Sequence, residues 1–188
     1  GVEPRMNNGM TPLHVAAASG HAMVLERLIV RGAKVEDKDA QAATPLLAAA
    51  ANGHLDAVVC LLSRGASQSA QDDQGVTALH NAALAGHTDV VIRLLDSAAC
   101  PNVQDRDGET ALHLASRGGH DKVARALLDH GADASLQDGE GCTALHTAAD
   151  NGRAGLLEVL ISRGAEVDAI SKAGVTALHT ATANGGAE

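Results

Sequence analysis

Aromatic side chains are absent from this chain: none of its 188 residues is Phe, Tyr or Trp. A hydrophobic core must therefore be built from Leu, Val, Ile and Ala, and the hydrophobic content of 45% is sufficient for one. Binding hot spots draw heavily on Trp, Tyr and Arg, so an interface here must depend on Arg, Met, Leu and backbone groups. We expect modest rather than extreme affinity.

Positive charge is also scarce, with 14 Lys and Arg against 23 Asp and Glu and a formal net charge of −9. Nucleic acids and anionic membranes are bound mainly through clustered Lys and Arg, so neither is an expected partner. No apolar run reaches the roughly 18 residues that a membrane span needs, and residues 1–10 lack a signal-peptide core. A protein with a basic patch is the partner that this charge favours.

Cysteine is limited to three residues, Cys60, Cys100 and Cys142, and no two of them form a CxxC pair. An odd number of widely spaced cysteines fits free thiols in a reducing compartment better than a disulfide framework. We therefore expect a cytoplasmic location, with the nucleus as the other reducing compartment.

One eleven-residue frame recurs along the chain, beginning as TPLHVAAASGH at Thr11. Its threonines lie 33 residues apart without exception, at Thr11, Thr44, Thr77, Thr110, Thr143 and Thr176. A fixed period of this length is typical of a solenoid, in which each unit covers its apolar face against its neighbours. We predict one array over residues 1–188, with units 6–38, 39–71, 72–104, 105–137, 138–170 and a partial unit 171–188.

Each unit reads as two helices followed by a turn. In the third unit Thr77 is placed to cap the first helix, and Gly86 is placed to end it. The first helix carries small residues such as Ala82 and Ala83, whereas the second carries a stripe of Val and Leu. A segment rich in Gly, Asp and Gln follows and runs to a glycine before the next threonine, which predicts a projecting hairpin, called a finger below.

The period, the TPLH-x-A frame, the Gly-His after the first helix and the Leu-Leu-x-x-Gly-Ala after the second resemble the ankyrin repeat over residues 6–188. The resemblance implies an all-α repeat solenoid, an L-shaped stack of helix pairs with β-hairpin fingers. It also implies a role in protein recognition. In that family the histidine of TPLH makes structural hydrogen bonds.

Ten histidines invite a metal hypothesis, but nine of them form two rows, at the TPLH and Gly-His positions, with at most one member of each row per repeat, and the tenth is His130. Such rows do not bring four ligands together, so we expect no metal. The aspartates five residues before the threonines, Asp39, Asp72, Asp105 and Asp138, are likewise one per repeat and fit turns better than acid–base chemistry. GEGCTA at Gly139 matches G-x-G-x-x-A, yet no buried strand precedes it, so we expect no dinucleotide or other cofactor and no catalytic residues.

Two alanines and one leucine interrupt the pattern. Ala42 replaces a finger glycine, Leu47 replaces a TPLH histidine, and Ala98 stands where other units have the glycine that ends the second helix. A left-handed alanine at position 98 costs on the order of 1 kcal/mol. We expect the finger at 40–43 to exchange its amides faster than that at 106–109.

The last unit lacks its second helix, which favours a segment of a longer array. We expect this half-unit to fray and to leave Leu156, Leu157 and Leu160 poorly covered. Cys142, on a finger beside Glu140, should be exposed and should have a raised pKa because its surroundings are acidic.

The function that these features favour is a non-catalytic protein–protein interaction scaffold, expected as a monomer. The alternative is a regulatory or tethering arm of a larger enzyme or channel. Partner contacts are expected beside the finger glycines and at the ends of the first helices, on the concave side. This recognition surface comprises Asp73, Gln74, Val76, Leu84, Ala85, Arg106, Asp107, Glu109, Arg117, Glu140, Cys142, Asp150 and Asn151.

Overall fold

The computed structural model describes the backbone of residues 5–185 and the side chains of residues 5–183. It divides into two compact units, the first ending at Cys100 and the second beginning at Pro101. That residues 1–188 form one array with the unit boundaries given above stays a prediction. Residues 1–4 and 186–188 of that array lie outside the described residues.

The first compact unit contains three helix pairs. They are α1 (Pro12–Ala18) with α2 (Ala22–Val30), α3 (Pro45–Ala51) with α4 (Leu55–Ser63), and α5 (Ala78–Ala85) with α6 (Thr88–Asp96). The first helices pack in the order α1, α3, α5 and the second helices in the order α2, α4, α6, while each helix also packs on its own partner. The predicted stack of helix pairs is therefore confirmed within this unit.

The second compact unit repeats the arrangement. It contains α7 (Ala111–Gly118) with α8 (Asp121–Asp129), α9 (Ala144–Asp150) with α10 (Ala154–Ser162), and the single helix α11 (Ala177–Gly185). Helix α9 packs between α7 and α11, and α10 packs on α8.

The helices begin and end at the residues that the pattern indicates. The Thr77 hydroxyl accepts a hydrogen bond from the His80 N–H, and Gly86 ends α5 in the left-handed conformation with φ of 76°. The small Ala82 and Ala83 are completely buried, as are Val90 and Leu94 of α6. Close approach of alanine-lined first helices and burial of bulkier second helices together form the core.

The fingers take the form of turns, since no strand forms within residues 5–185 and antiparallel pairing reduces to isolated bridges between Gln71 and Thr77 and between Ile170 and Thr176. The turn is closed locally by aspartate. Asp72 N–H donates to the Val76 carbonyl, and the Asp72 carboxylate accepts from the N–H groups of Gln74 and Val76 at 2.8 and 2.9 Å. The predicted turn role of these aspartates is confirmed.

Both alanines that replace glycines are left-handed, with φ of 62° at Ala42 and 67° at Ala98. The strain predicted for Ala98 is therefore present. The replacement of histidine by Leu47 also has a visible result: the buried hydroxyl of Thr44 has no hydrogen-bond partner among the described residues.

The expectation that Leu156 and Leu160 are poorly covered is wrong, because both side chains are completely buried. They lie on α10, which packs against α8 and α9 rather than facing the open end of the unit. Leu157 is half-buried. Leu178 of α11, by contrast, is 64% exposed.

Candidate functional site

Two rows of histidines hold neighbouring repeats together. In the TPLH row, His14 Nδ1 accepts from the Thr11 N–H at 3.2 Å, and His14 Nε2 donates to the Ala43 carbonyl of the next repeat at 3.0 Å. His113 and His146 make the same two contacts. Because a carbonyl only accepts, the proton lies on Nε2. The structural role expected for this row is confirmed.

The histidines of the Gly-His row donate to the preceding repeat rather than to the next one. His54 Nε2 donates to the Ala18 carbonyl at 3.0 Å, 36 residues back, and His87 does the same to Ala51 at 3.3 Å. Gly20 leaves the space that this requires, since a Cβ there would lie 2.6 Å from the His54 ring. In the fifth repeat Arg153 replaces the histidine and donates to the Arg117 carbonyl at 3.5 Å. The sequence reasoning recognised this row but not its partners.

Within each compact unit, neighbouring fingers are joined by one backbone hydrogen bond. Asp73 N–H donates to the Gln41 carbonyl at 2.9 Å, and Lys172 N–H donates to the Glu140 carbonyl at 3.0 Å. At the finger base, a long polar side chain donates to the carbonyl 33 residues further on. Gln104 donates in this way to Gln137 at 2.8 Å. These bonds fix the spacing of the fingers and hence of the side chains beside them.

An open cavity of about 410 Å³ lies in the second compact unit, between its fingers and first helices. Its volume falls within the range of about 300–1,000 Å³ that is usual for ligand pockets. Six members of the recognition surface line it together: Glu109, Arg117, Glu140, Cys142, Asp150 and Asn151. The reasoning from sequence missed the other lining residues, among them Asp138, Thr147, Ser171 and Thr180.

The lining of this cavity is acidic. Four carboxylates and one guanidinium line it, so four negative charges face one positive charge. The carboxylates belong to Glu109, Asp138, Glu140 and Asp150, and the guanidinium belongs to Arg117. Glu140 and Asp150 are exposed. The arrangement is chemically suited to a cationic group.

Two of the lining residues pair with each other. The Arg117 guanidinium donates to the Glu109 carboxylate, whose residue is only 8% exposed, while Arg117 itself is exposed. The hydrogen bond to Glu109 is the main reason that the pKa of Arg117 is raised above its usual value. Glu109 thus forms the buried wall of the cavity, and Arg117 is the member of the pair that solvent reaches.

Cys142 is half-buried in the cavity wall rather than exposed as expected. Its pKa is raised, as predicted, but burial is the largest cause and the charges of Asp138, Glu140 and Asp150 add to it. Cys60 on α4 also has a raised pKa, again mainly because of burial. All three cysteines are free thiols.

The remaining members of the recognition surface lie outside this cavity. In the first compact unit Asp73, Gln74, Leu84 and Ala85 are exposed and Val76 is half-buried. In the second, Arg106 and Asp107 are exposed at the tip of a finger.

No three His, Cys, Asp or Glu side chains within residues 5–183 lie close enough together to hold a metal ion. No helix within residues 5–185 has both the length and the apolar composition needed to cross a bilayer.

Comparison with family models agrees with the repeat geometry. A model described as ankyrin repeats in three copies matches residues 1–72 and 46–138, and one described as ankyrin repeats in many copies matches residues 127–181. No curated protein matches the chain in a sequence search. The helix pairs, fingers and histidine rows thus define a repeat solenoid. The chain belongs to the ankyrin repeat family, whose repeats generally serve as protein–protein interaction modules and are usually non-catalytic.

Proposed function

We propose that this chain is a non-catalytic scaffold that binds a basic segment of a partner protein through the recognition surface. The acidic cavity carries the proposal, because Glu140 and Asp150 are exposed beside the buried Glu109 carboxylate in one concave space. A Lys or Arg side chain entering this space meets charge of opposite sign from more than one direction.

The affinity of such a site follows from its composition. The lining offers carboxylates, hydroxyls and one guanidinium, and the chain has no aromatic residue to anchor a partner. Electrostatic attraction then contributes a large share of the binding free energy. Binding should therefore weaken steeply as salt shortens the range of that attraction to about 3 Å at about 1 M.

The three free thiols and the excess of acidic residues support a monomer in the cytoplasm or the nucleus. The acidic composition also speaks against nucleic acid as the partner.

The free cysteines provide a direct test of the binding site. A photoreactive maleimide is attached to Cys142 alone, after replacing Cys60 and Cys100 by serine, and the labelled chain is irradiated in a native lysate. The matched control carries the same probe on Cys60 alone, which lies on the second helix α4 and is not among the residues that line the cavity. We expect the Cys142 probe to capture a set of basic proteins that the Cys60 probe does not.

Two further arms test the electrostatic part of the proposal. Capture from Cys142 should fall at about 1 M salt and should fall with Asp150→Lys, while the exposed Glu158→Lys on α10 leaves it unchanged. Identical capture from the two cysteines would overturn the assignment of the site. Capture that changes neither with salt nor with Asp150→Lys would overturn the proposal that the partner is basic.

A further inference from the structure

The charges of the acidic cavity are distributed unevenly over the three consecutive repeats that line it. The fourth repeat contributes the ion pair of Glu109 and Arg117. The fifth repeat contributes three carboxylates, which belong to Asp138, Glu140 and Asp150. The described residues that line the cavity from the sixth repeat are uncharged and comprise Ser171, Ala173, Val175 and Thr180. Negative charge is therefore concentrated over the fifth repeat, and the one guanidinium lies beside it on the α7 side.

The ion pair is peculiar to the fourth repeat. At the 33-residue spacing, the counterparts of Glu109 are Met10, Ala43, Val76, Cys142 and Val175. The counterparts of Arg117 are Ala18, Ala51, Leu84, Asp150 and Ala183. Other repeats form the same first helix without this pair, so the fold does not require it. A residue that the fold leaves variable is available for recognition.

The two side chains of the pair differ in exposure. The Glu109 side chain is 11% exposed, whereas the Arg117 side chain is 47% exposed. Glu109 is fixed by its backbone, since its N–H donates to the Asp105 carboxylate at 2.9 Å. A guanidinium has five N–H donors in a planar fork, and the hydrogen bond to Glu109 uses one of them. Glu109 therefore holds the Arg117 guanidinium in place while its exposed side can meet an anionic group.

Arg117 and Asp150 occupy the same position of successive repeats, so opposite charges lie one repeat apart. They lie in the last turns of α7 and α9, and these two helices pack against each other. The axes of packed helices are about 8–10 Å apart. In an extended polyproline II segment, side chains three residues apart lie on the same face at a separation of about 9 Å. A segment with charged residues three positions apart therefore matches both charges of the cavity.

We propose that Arg117 is a specificity-determining residue, which selects basic segments that carry an Asp or Glu three residues from the Lys or Arg. This selection rests on the proposed function, because the basic side chain binds over Glu140 and Asp150 as described above. The acidic side chain pairs with the Arg117 guanidinium. A second basic residue at that place meets a like charge and is disfavoured. The partner segment is therefore one of mixed charge rather than a polybasic one.

Three synthetic proline-rich peptides test the selection. Each contains one Lys, and the residue three positions away is Glu, Gln or a second Lys, with every peptide made in both chain directions. Their dissociation constants are measured at low salt by NMR titration, from the amide shifts of Glu140 and Asp150. We expect the Glu peptide to bind about threefold more tightly than the Gln peptide, as for an exposed ion pair, and the Lys peptide to bind most weakly. General attraction to an acidic surface gives the opposite order.

A double variant, Glu109→Gln with Arg117→Gln, is the matched control. It removes one charge of each sign, so the net charge of the lining is unchanged while the guanidinium is lost. In this variant the Lys peptide should bind most tightly and the Glu peptide most weakly. Arg117→Lys keeps the positive charge and should keep the order of the parent chain. Far-UV circular dichroism verifies that both variants are folded.

The outcomes separate the selection from the proposed function. Tightest binding of the Lys peptide to the parent chain would overturn the selection by Arg117. An unchanged order of the three peptides in the double variant would do the same. If no peptide in either direction shifts the resonances of Glu140 and Asp150, the proposed function fails, and the selection fails with it.

Discussion

Thr44→Val should stabilise the protein, although the same change at the other repeat threonines should destabilise it. The Thr44 side chain is completely buried, caps no backbone N–H and has no hydrogen-bond partner among the described residues. Its expected partner is missing because Leu47 occupies the place of the histidine. In the next repeat Thr77 bonds the ring and backbone nitrogens of His80 at 2.8 and 3.4 Å.

The magnitudes follow from these contacts. A buried hydroxyl without a partner costs about 1–3 kcal/mol of folding free energy, and valine replaces it with a methyl group of nearly the same shape. We therefore expect Thr44→Val to raise the free energy of unfolding by about 1 kcal/mol. Thr77→Val removes a working cap and should lower it by about 1–2 kcal/mol. The two variants should differ by about 2–3 kcal/mol, from the same chemical change.

Urea unfolding followed by far-UV circular dichroism measures both changes without aromatic absorbance. A third chain, Leu47→His, gives Thr44 a ring nitrogen within reach and offers Val76 as the carbonyl for Nε2. On that background Thr44→Val should become destabilising. The reasoning is refuted if Thr44→Val lowers stability as much as Thr77→Val, or if the Leu47→His background leaves its sign unchanged.

Three other measurements test the strain and the buried groups. Ala98→Gly should raise the free energy of unfolding and Gly65→Ala should lower it, each by about 1 kcal/mol. A Cβ at Gly65 meets no atom within 4 Å, so only the strain of the left-handed backbone is tested. Effects of the same sign in the two variants would contradict this. Hydrogen exchange should be faster in the finger at 40–43, where a left-handed alanine replaces glycine, than at 106–109, and equal protection would show that this strain is relieved. Burial lowers the pKa of His113 below its unfolded value, so the unfolded state binds more protons and stability should fall as pH drops below about 6.5. His113→Gln should flatten this pH dependence of stability. An unchanged slope between pH 7.5 and 5.5 would assign the dependence to other groups.

Much of the fold could be read from sequence because its determinants are local and recur. Thr77 and Gly86 bound a helix through their own backbone preferences, and Asp72 closes a turn with atoms two and four residues away. Such contacts need only the spacing of residues along the chain. The same locality explains why the left-handed conformation of Ala98 was foreseeable.

Contacts between side chains in different elements were not foreseeable in this way. Glu109 was expected among the partner contacts and does line the cavity, but its ion pair with Arg117 of α7 was not foreseen. Leu156 and Leu160 were expected at an open end, yet they face the preceding repeat. In both cases the contact depends on the direction in which a side chain points. A periodic pattern of residue types does not specify that direction.

The hydrogen bonds at the finger bases do not constrain the side chain of the accepting residue. Arg5 donates to Lys38, Lys38 to Gln71, Gln104 to Gln137 and Gln137 to Ile170, and every acceptor is a main-chain carbonyl. Each of these hydrogen bonds therefore requires a long donor side chain in one repeat but no particular side chain in the next. Ile170 can accept the last of them because only its main-chain carbonyl takes part. A repeat that carries a long donor at this position can therefore be duplicated during evolution without a compensating substitution in its neighbour, whereas a one-residue insertion would misalign the hydrogen bonds beyond it.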